Sequence, residues 1–178
     1  MVYKIGLLGF FILIAINLHA FQHSKSVMKK VHTEIVASFD VEQFELNELI
    51  ISDVVNAKLQ HKISPNNLFK IVHNQMFLGY AYINKAPSKT DTFDYLLLLD
   101  TNLIIKKAKV LIYREDYGGE IGSRRWLKQF IGKSPKDQLK YTQHIMAISG
   151  ATISAFSMTN AIALFLQDAI ILQQHKVI

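Results

Sequence analysis

The sequence predicts an α+β fold, an antiparallel β-meander packed against helices. Four runs between Leu68 and Tyr113 are rich in β-branched and aromatic residues: LFKIVH, MFLGYAYI, FDYLLLLD and LIIKKAKVLIY. The turns between them are short, so neighbouring runs are expected to pair in chain order as a four-stranded meander. Beyond them, apolar residues recur at helical spacing from Ser154 to about Gln173, which predicts a C-terminal helix directly after the tetrapeptide SGAT.

The segment before the meander, residues 21–67, is predicted to be a lead-in of helices and one strand. The apolar residues of its first helix share one face: Met28, Val31, Ile35 and Phe39. The stretch QFELNELII alternates as a strand does, and Ser52 is positioned to cap a short helix in DVVNAKLQ.

A glycine-rich loop and a second short helix follow the meander. The loop REDYGGEIGSRRW mixes glycines with charges, so its shape depends on the backbone. In RRWLKQFIG, one side carries Trp126, Leu127 and Phe130. The last helix is predicted to bury Met158, Ile162, Phe165, Leu166, Ala169 and Leu172, and to turn Ser157, Asn160, Gln167 and Asp168 away from the core.

Residues 1–20 are predicted to be a signal peptide or an N-terminal membrane anchor. The run IGLLGFFILIAI is unbroken apolar sequence, and it ends at NLHA, where Ala20 offers a small residue for cleavage. Either interpretation exports the rest of the chain, to the periplasm or to the outer side of the cytoplasmic membrane. The main domain is then expected over residues 68–178.

Composition narrows the classes of function. The chain has 178 residues, a formal charge of +6 and no cysteine, so disulfides, thiolate metal sites and thiol nucleophiles are excluded. Its lysines and arginines are dispersed, and no nucleic-acid partner is expected. The seven histidines lack metal-ligand spacing, so no metal is expected. Ser149 lacks the GxSxG context of a hydrolase nucleophile, and no catalytic residue is assigned.

The stretch SGATIS, at the start of the last helix, has the chemistry of a phosphate site. Gly150 beside Ala151 allows close approach of the backbone, and the first amides of a helix have no internal partners. Such a helix start favours an anion. Ser149, Thr152 and Ser154 add hydroxyls there. The alternative from spacing alone is that Ser149 or Thr152 only caps the helix.

These motifs carry a resemblance. An SGAT before an apolar helix, downstream of a strand ending in Tyr-Arg-Glu, a glycine-rich loop and WLKQFIGK, resembles the FMN-binding domain of the flavin-carrying extracytoplasmic subunits of Rnf and sodium-pumping NADH:quinone oxidoreductase complexes. The resemblance covers about Leu68 to Gln173. It implies an electron-transfer flavoprotein, more an electron carrier than a stand-alone enzyme.

The resemblance also implies which residues hold the cofactor. Thr152 would carry FMN as a phosphoester, donated from FAD by a flavin transferase, with Ser149, Gly150 and Ala151 shaping the turn and the helix from Ser154 offering amides. The loop would contribute Glu115, Gly118 and Gly119, and Tyr113 or Tyr117 would stack on the flavin ring. The implied partners are the transferase and a membrane-associated redox protein, so membrane proximity is expected.

The chain departs from the family pattern at two places. Asp116-Tyr117 follows Glu115, where the family usually has Thr-Pro. Met146 stands three residues before Ser149, where the family commonly has Asp. If the transferase recognises its target through that Asp, Met146 is expected to slow flavinylation of Thr152. Two alternatives therefore stay open: a non-redox exported binding or scaffold protein that keeps the fold without flavin, and a flavin-dependent reductase acting on a small substrate.

Overall fold

A five-stranded antiparallel sheet forms the centre of the fold in a computed structural model that describes residues 23–178. The predicted meander is confirmed, and a fifth strand from the lead-in extends it. In chain order, which is also the order in the sheet, the strands are β1 (Glu45–Glu48), β2 (Leu68–His73), β3 (Met76–Pro87), β4 (Thr92–Asp100) and β5 (Ile105–Ile112). β1 joins at the edge, where Glu45 lies opposite Val72.

Within residues 23–178, four helices and two short 3₁₀ turns accompany the sheet. The helices are α1 (Lys25–Phe39), α2 (Asp53–Asn56), α3 (Arg124–Leu127) and α4 (Thr152–Gln174), and the 3₁₀ turns are Gly119–Gly122 and Lys128–Phe130. The second helix begins as predicted, with Ser52 as its cap, and the first helix has a serine cap that the sequence does not predict, Ser24. The predicted short helix over RRWLKQFIG is one turn of α-helix continued by the second 3₁₀ turn.

Both faces of the sheet are covered by helices. On one face, α1 buries Val27, Val31 and Ile35 against the sheet. On the other face, α4 packs across β3, where Phe165 stacks on Tyr82 with ring centroids 3.9 Å apart. Strand β4 supplies both cores, because its residues from Phe93 to Leu99 are all buried and point alternately to the two faces.

The segment NKAPSKTDT, between the second and third predicted runs, is strand at both ends. β3 continues to Pro87, which pairs with Thr92 at the start of β4. The connection is therefore only residues 88–91, with the amide of Ser88 donating to the carbonyl of Asp91 over 2.8 Å. This tight hairpin reaches the start of α4, where the Ser157 hydroxyl donates to the carbonyl of Pro87.

The last helix differs from its prediction at two points. It begins at Thr152, two residues before Ser154. Its apolar face is buried as predicted, but Asp168, expected on the polar side, is only 1% exposed. The carboxylate accepts hydrogen bonds from the amides of Gln60 and His61, at 2.7 and 3.0 Å. These backbone donors satisfy the buried charge, so the residue fixes the loop after α2 onto α4.

The predicted leader lies outside the described residues. Within residues 23–178, α4 alone is long and apolar enough to cross a membrane. Half of its most apolar stretch is buried inside the fold, and a core helix passes the same test.

Candidate functional site

A cleft of about 670 Å³ opens where three segments meet: the β3–β4 hairpin, the loop after β5 and the start of α4. The hairpin contributes Lys89 and Thr90; the loop contributes Tyr113, Glu115, Asp116 and Tyr117; the helix start contributes Gly150, Ala151, Thr152, Ile153 and Ser154. The structure thus brings together six of the nine residues that the sequence predicts for the site: Tyr113, Glu115, Gly150, Ala151, Thr152 and Ser154.

The start of α4 is not capped by a side chain. Ala151 occupies the N-cap position, and no side chain makes a capping hydrogen bond there. The interpretation that Ser149 or Thr152 caps this helix is therefore wrong. Thr152 is exposed as the first helical residue. The amides of the first helical turn have no partner within a helix, and together with the helix dipole they favour an anion at this point.

Two glycines shape the turn into the helix. Gly150 has φ +82° and Gly118 has φ +84°, backbone conformations that side-chain-bearing residues rarely adopt. A Cβ on Gly118 would lie 2.7 Å from the Tyr113 hydroxyl and 3.0 Å from the Gly150 carbonyl oxygen. The loop after β5 therefore passes directly against the SGAT turn, and a larger residue would push the two apart.

Tyr113 connects the last strand to the helix start. Its hydroxyl is hydrogen-bonded to the Ser154 hydroxyl over 3.0 Å. Its ring is half-buried and lies tilted against Phe93, with centroids 5.9 Å apart. One side of the ring is thus held by the core, while the residue still lines the cleft. Tyr117, in contrast, is 87% exposed.

Glu115 ties the β3–β4 hairpin to the loop after β5. Its carboxylate accepts from the Thr90 amide at 2.6 Å, from the Thr90 hydroxyl at 2.8 Å and from the Asp91 amide at 3.2 Å. The adjacent Ser88 hydroxyl and these Thr90 and Asp91 donors lower the pKa of Glu115 to about 2. Both carboxylate oxygens are already engaged, so the residue supports one wall of the cleft.

The remaining predicted positions lie outside the cleft. Ser149 is exposed just before it, and Gly118 is buried behind Tyr113. Gly119 is exposed at the first 3₁₀ turn, and a Cβ at this position would meet no atom within 4 Å. Conversely, the cleft is also lined by four residues that the sequence does not predict for the site: Lys89, Thr90, Asp116 and Ile153. The lysine and threonine are about 60 residues from the SGAT motif, and only the strand pairing reveals that they meet it.

Met146 has an exposed side chain and a fixed backbone. Its side chain is 69% exposed. The indole N–H of Trp126 donates to its carbonyl oxygen over 2.8 Å, and its amide donates to the side-chain oxygen of Gln129 over 2.8 Å. The side chain at this position is therefore accessible at the surface, while the hydrogen bonds with Trp126 and Gln129 fix its backbone.

The cleft fits a phosphate-bearing, flat cofactor. The uncapped helix start and Lys89 offer an anion favourable partners, in a lining that also carries the carboxylates of Glu115 and Asp116. The two glycines with positive φ let the backbone approach a ligand closely. Tyr113 and Tyr117 supply aromatic surface at the same opening. Among the described residues, no group of three or more histidine, aspartate or glutamate side chains is arranged to hold a metal ion.

Comparison with known families identifies the class of protein. Residues 90–167 match the family model described as FMN-binding domain. This range runs from the β3–β4 hairpin to the middle of α4, and it contains ten of the eleven residues that line the cleft, all except Lys89. This part of the chain is therefore similar to the FMN-binding domain family, and the resemblance noted in the sequence is confirmed over these residues. No curated protein matches the chain. The family assignment supports FMN as the ligand of this protein.

Proposed function

We propose that this protein is an exported electron-transfer flavoprotein that carries one FMN joined through its phosphate to Thr152. The observation that carries the proposal is the exposed threonine hydroxyl at the uncapped start of a 23-residue helix, inside a cleft of the FMN-binding domain. When bound, FMN supplies the redox chemistry by accepting and donating electrons.

The chain's own residues would bind and orient the cofactor. The first-turn amides of α4 and Lys89 favour the phosphate, which keeps one negative charge after esterification. Tyr113, held by Ser154, and the exposed Tyr117 offer aromatic faces to the ring. Glu115 holds the hairpin wall rather than contacting the phosphate, because a carboxylate would repel it.

A separate flavin transferase would make the bond. The Thr152 hydroxyl oxygen would attack the phosphorus of the FMN half of FAD. The pyrophosphate bond would break, AMP would leave, and the hydroxyl proton would pass to a base of the transferase. The product is a phosphoester on Thr152, with no change in the oxidation state of the flavin. A covalent tether suits an exported protein, because a cofactor lost outside the cytoplasm is not easily replaced.

Peptide mass spectrometry tests this attachment. The full chain, co-expressed with a flavin transferase, should carry an FMN-sized adduct on the peptide that contains Thr152, and Thr152→Ala should remove it. Ser149→Ala is the matched control, because that hydroxyl is exposed three residues away but lies outside the cleft. An unmodified Thr152 in the wild type, or an adduct on another residue, would contradict the covalent attachment.

The exported location and the redox partner belong to the same proposal. Residues 1–20 would direct export, as a cleaved signal peptide or as an anchor, and place the domain in the periplasm or at the outer side of the cytoplasmic membrane. There it would exchange electrons with a membrane-associated redox protein. Fusion of a reporter that is active only outside the cytoplasm, placed after residue 178, tests the location: loss of reporter activity on deleting residues 1–20 is expected.

The alternative is a binding or scaffold protein that keeps the fold without flavin. The specific observation in its favour is Met146, whose exposed side chain stands where the family commonly presents an Asp. Met146→Asp should increase the fraction of chains flavinylated in a fixed time, whereas Ala147→Asp, the neighbouring exposed position, should not. A wild type that stays colourless and fails to bind added FMN would favour the alternative.

A further inference from the structure

Two large apolar side chains are strongly exposed in the segment after β1. Ile50 is 85% exposed, and Val54, in the first turn of α2, is 72% exposed. The backbone just before them is fixed to the sheet, because the amide of Leu49 donates to the carbonyl of Leu68 over 2.8 Å. We name Ile50 and Val54 the α2 patch. Single exposed apolar residues are common on protein surfaces, but the position of this pair in the fold is specific.

The first residue that the structure describes, His23, lies beside this patch. Its ring nitrogen Nε2 is hydrogen-bonded to the carbonyl oxygen of Asn66 over 2.7 Å. The amide of Asn66 donates in turn to the carboxylate of Glu48 over 2.6 Å. Asn66, Glu48 and Ile50 line one pocket of about 360 Å³. The chain therefore enters the fold at the surface that carries the α2 patch.

The sequence directly before His23 is the predicted signal peptide or membrane anchor. From Ile5 to Phe21, Asn17 and His19 are the only polar residues, and a stretch of this length, about 17 residues, is the shortest that crosses a bilayer as a helix. An extended chain spans at most about 3.6 Å per residue, so the Cα atom of His23 lies within about 7 Å of that of Phe21. An uncleaved anchor would therefore hold the α2 patch at the membrane surface.

The antiparallel order puts the patch at the same end of the sheet as the hairpin wall of the flavin cleft. β1 ends where β2 begins, since Glu48 lies opposite Phe69. β3 also ends at this end of the sheet, and β4 begins there. The opposite end carries the exposed side chains of Met76, in the turn between β2 and β3, and of Ile131, which precedes the residue bonded to Ile105 at the start of β5.

The charges next to the patch do not favour an anionic surface. Glu48 and Asp53 line the pocket beside Ile50, and none of the described residues that line it is a lysine or arginine. Burial of apolar surface is therefore the interaction that the patch offers to a bilayer.

We propose that the α2 patch inserts into the outer leaflet of the cytoplasmic membrane in which residues 1–20 are anchored. This inference rests on the anchor form of the proposed function, and it does not depend on flavin. Insertion removes both side chains from water, and the anchor makes the contact intramolecular, so that two residues suffice. The end of the sheet that carries the hairpin wall of the cleft then faces the membrane, where the proposed redox partner lies.

A single thiol label measures the insertion, because the chain has no cysteine. Val54→Cys is labelled with an environment-sensitive fluorophore, and the full chain, residues 1–178, is reconstituted into phosphatidylcholine vesicles that are purified by flotation. We expect blue-shifted emission, strong quenching by lipids that carry a spin label near the headgroup, and little quenching by iodide added outside. Met76→Cys with the same label is the control, and its iodide quenching reports the fraction of domains that lie outside the vesicles.

Variants then locate the contact. Ile50→Asp, at an exposed position, should make the label at Val54→Cys as accessible to iodide as that at Met76→Cys, while the anchor keeps the protein in the floated fraction. Ile131→Asp, the same change at the opposite end of the sheet, should leave the label protected. Thr152→Ala should also leave it protected, which separates this test from that of flavin attachment. Replacing part of the phosphatidylcholine by phosphatidylglycerol should not increase the protection.

Four results would overturn the proposal. Equal iodide quenching of the two labels in floated protein would do so while leaving the anchor intact, as would protection that survives Ile50→Asp. Protection that requires a membrane protein in the vesicles would assign the patch to a protein partner instead. Full chain that does not float with the vesicles would overturn both the insertion and the anchor, whereas a flavin adduct on Thr152 would be unaffected.

Discussion

Two kinds of helix start occur in this molecule. α1 and α2 each begin with a serine whose hydroxyl accepts from an amide of the first turn, Ser24 from Val27 and Ser52 from Val55. α4, the longest helix within residues 23–178, has Ala151 at its N-cap position and no such bond. Hydroxyl-bearing residues surround this start, yet Ser154 is bonded to Tyr113 and none caps the helix.

The start of α3 also lacks a side-chain cap, but among the described helix starts only that of α4 lines the cleft. The difference therefore separates helix starts that only stabilise the fold from one that a ligand can reach. A side-chain cap satisfies the first-turn amides within the protein. At α4 those amides remain available at the edge of a cleft, beside an exposed threonine. We propose that the phosphate of the cofactor binds at this helix start.

The largest effect on stability is expected at the ion pair that holds the loop after β5, between Arg114 and Asp94. Arg114 donates to both carboxylate oxygens of Asp94, each at 3.0 Å, and Asp94 is buried on β4. Arg114→Met leaves that carboxylate unpaired and should cost about 2–3 kcal/mol of unfolding free energy. Urea denaturation measures this loss. Arg125→Met, at an exposed arginine, is the control and should change stability by less than about 0.5 kcal/mol.

A slightly smaller effect is expected at the contact between the loop and the SGAT turn. Gly118→Ala forces a side chain into a left-handed conformation and against Tyr113, so it should cost about 2 kcal/mol. It should also weaken FMN binding by displacing the helix start. Gly119→Ala has open space around its Cβ position and should do neither. Equal losses in both variants would show that the contact does not shape the cleft.

Adding a side-chain cap to α4 tests whether its open first-turn amides bind the cofactor. Ala151→Ser supplies the missing hydroxyl and should stabilise the flavin-free protein by about 0.5–1 kcal/mol while weakening FMN binding. Ser24→Ala removes the cap of α1 and should cost about 1 kcal/mol without changing FMN affinity. Thermal unfolding and fluorescence titration with FMN measure the two properties. If Ala151→Ser binds FMN as tightly as the wild type, the open amides are not used.

The smallest effect is the pH dependence of the hairpin contact. The pKa of Glu115 is about 2 in the fold, below its ordinary value of 4.5, so its contribution is complete above pH 4.5 and is lost as the pH falls towards 2. Glu115→Gln should therefore be less stable than the wild type at neutral pH, and the difference should close as the pH falls through this range. Thr90→Val removes one donor and should raise the pKa of Glu115, as carboxyl NMR titration would report.

The elements whose periodicity is local were predictable from the sequence. In β2 to β5, every second residue points to the same face of the sheet, so alternation in the sequence reveals the strands. In α4, every third or fourth residue from Met158 to Leu172 lies on the same face, so the apolar residues reveal the helix. The serine cap of α2, Ser52, was predictable for the same reason, because a cap and its amide are three residues apart.

Features that depend on distant partners were not predictable. Asp168 lies on the polar side of a helical wheel, and only the amides of Gln60 and His61, more than 100 residues away, explain its burial. The hairpin wall of the cleft, Lys89 and Thr90, depends on how β3 pairs with β4. The SGAT motif pointed to the helix-start side of the candidate site, whereas the hairpin side became visible only from the register of the sheet.

The central claim is tested most directly by the visible absorption of the full chain after co-expression with a flavin transferase. The protein is unfolded in denaturant and passed through a desalting column, and the flavin absorbance is measured in the protein fraction. We predict that the yellow colour stays with the unfolded chain, near one flavin per polypeptide, and that Thr152→Ala loses it. Colour that elutes entirely with the small molecules, or that stays with the Thr152→Ala chain, would contradict the phosphoester on Thr152.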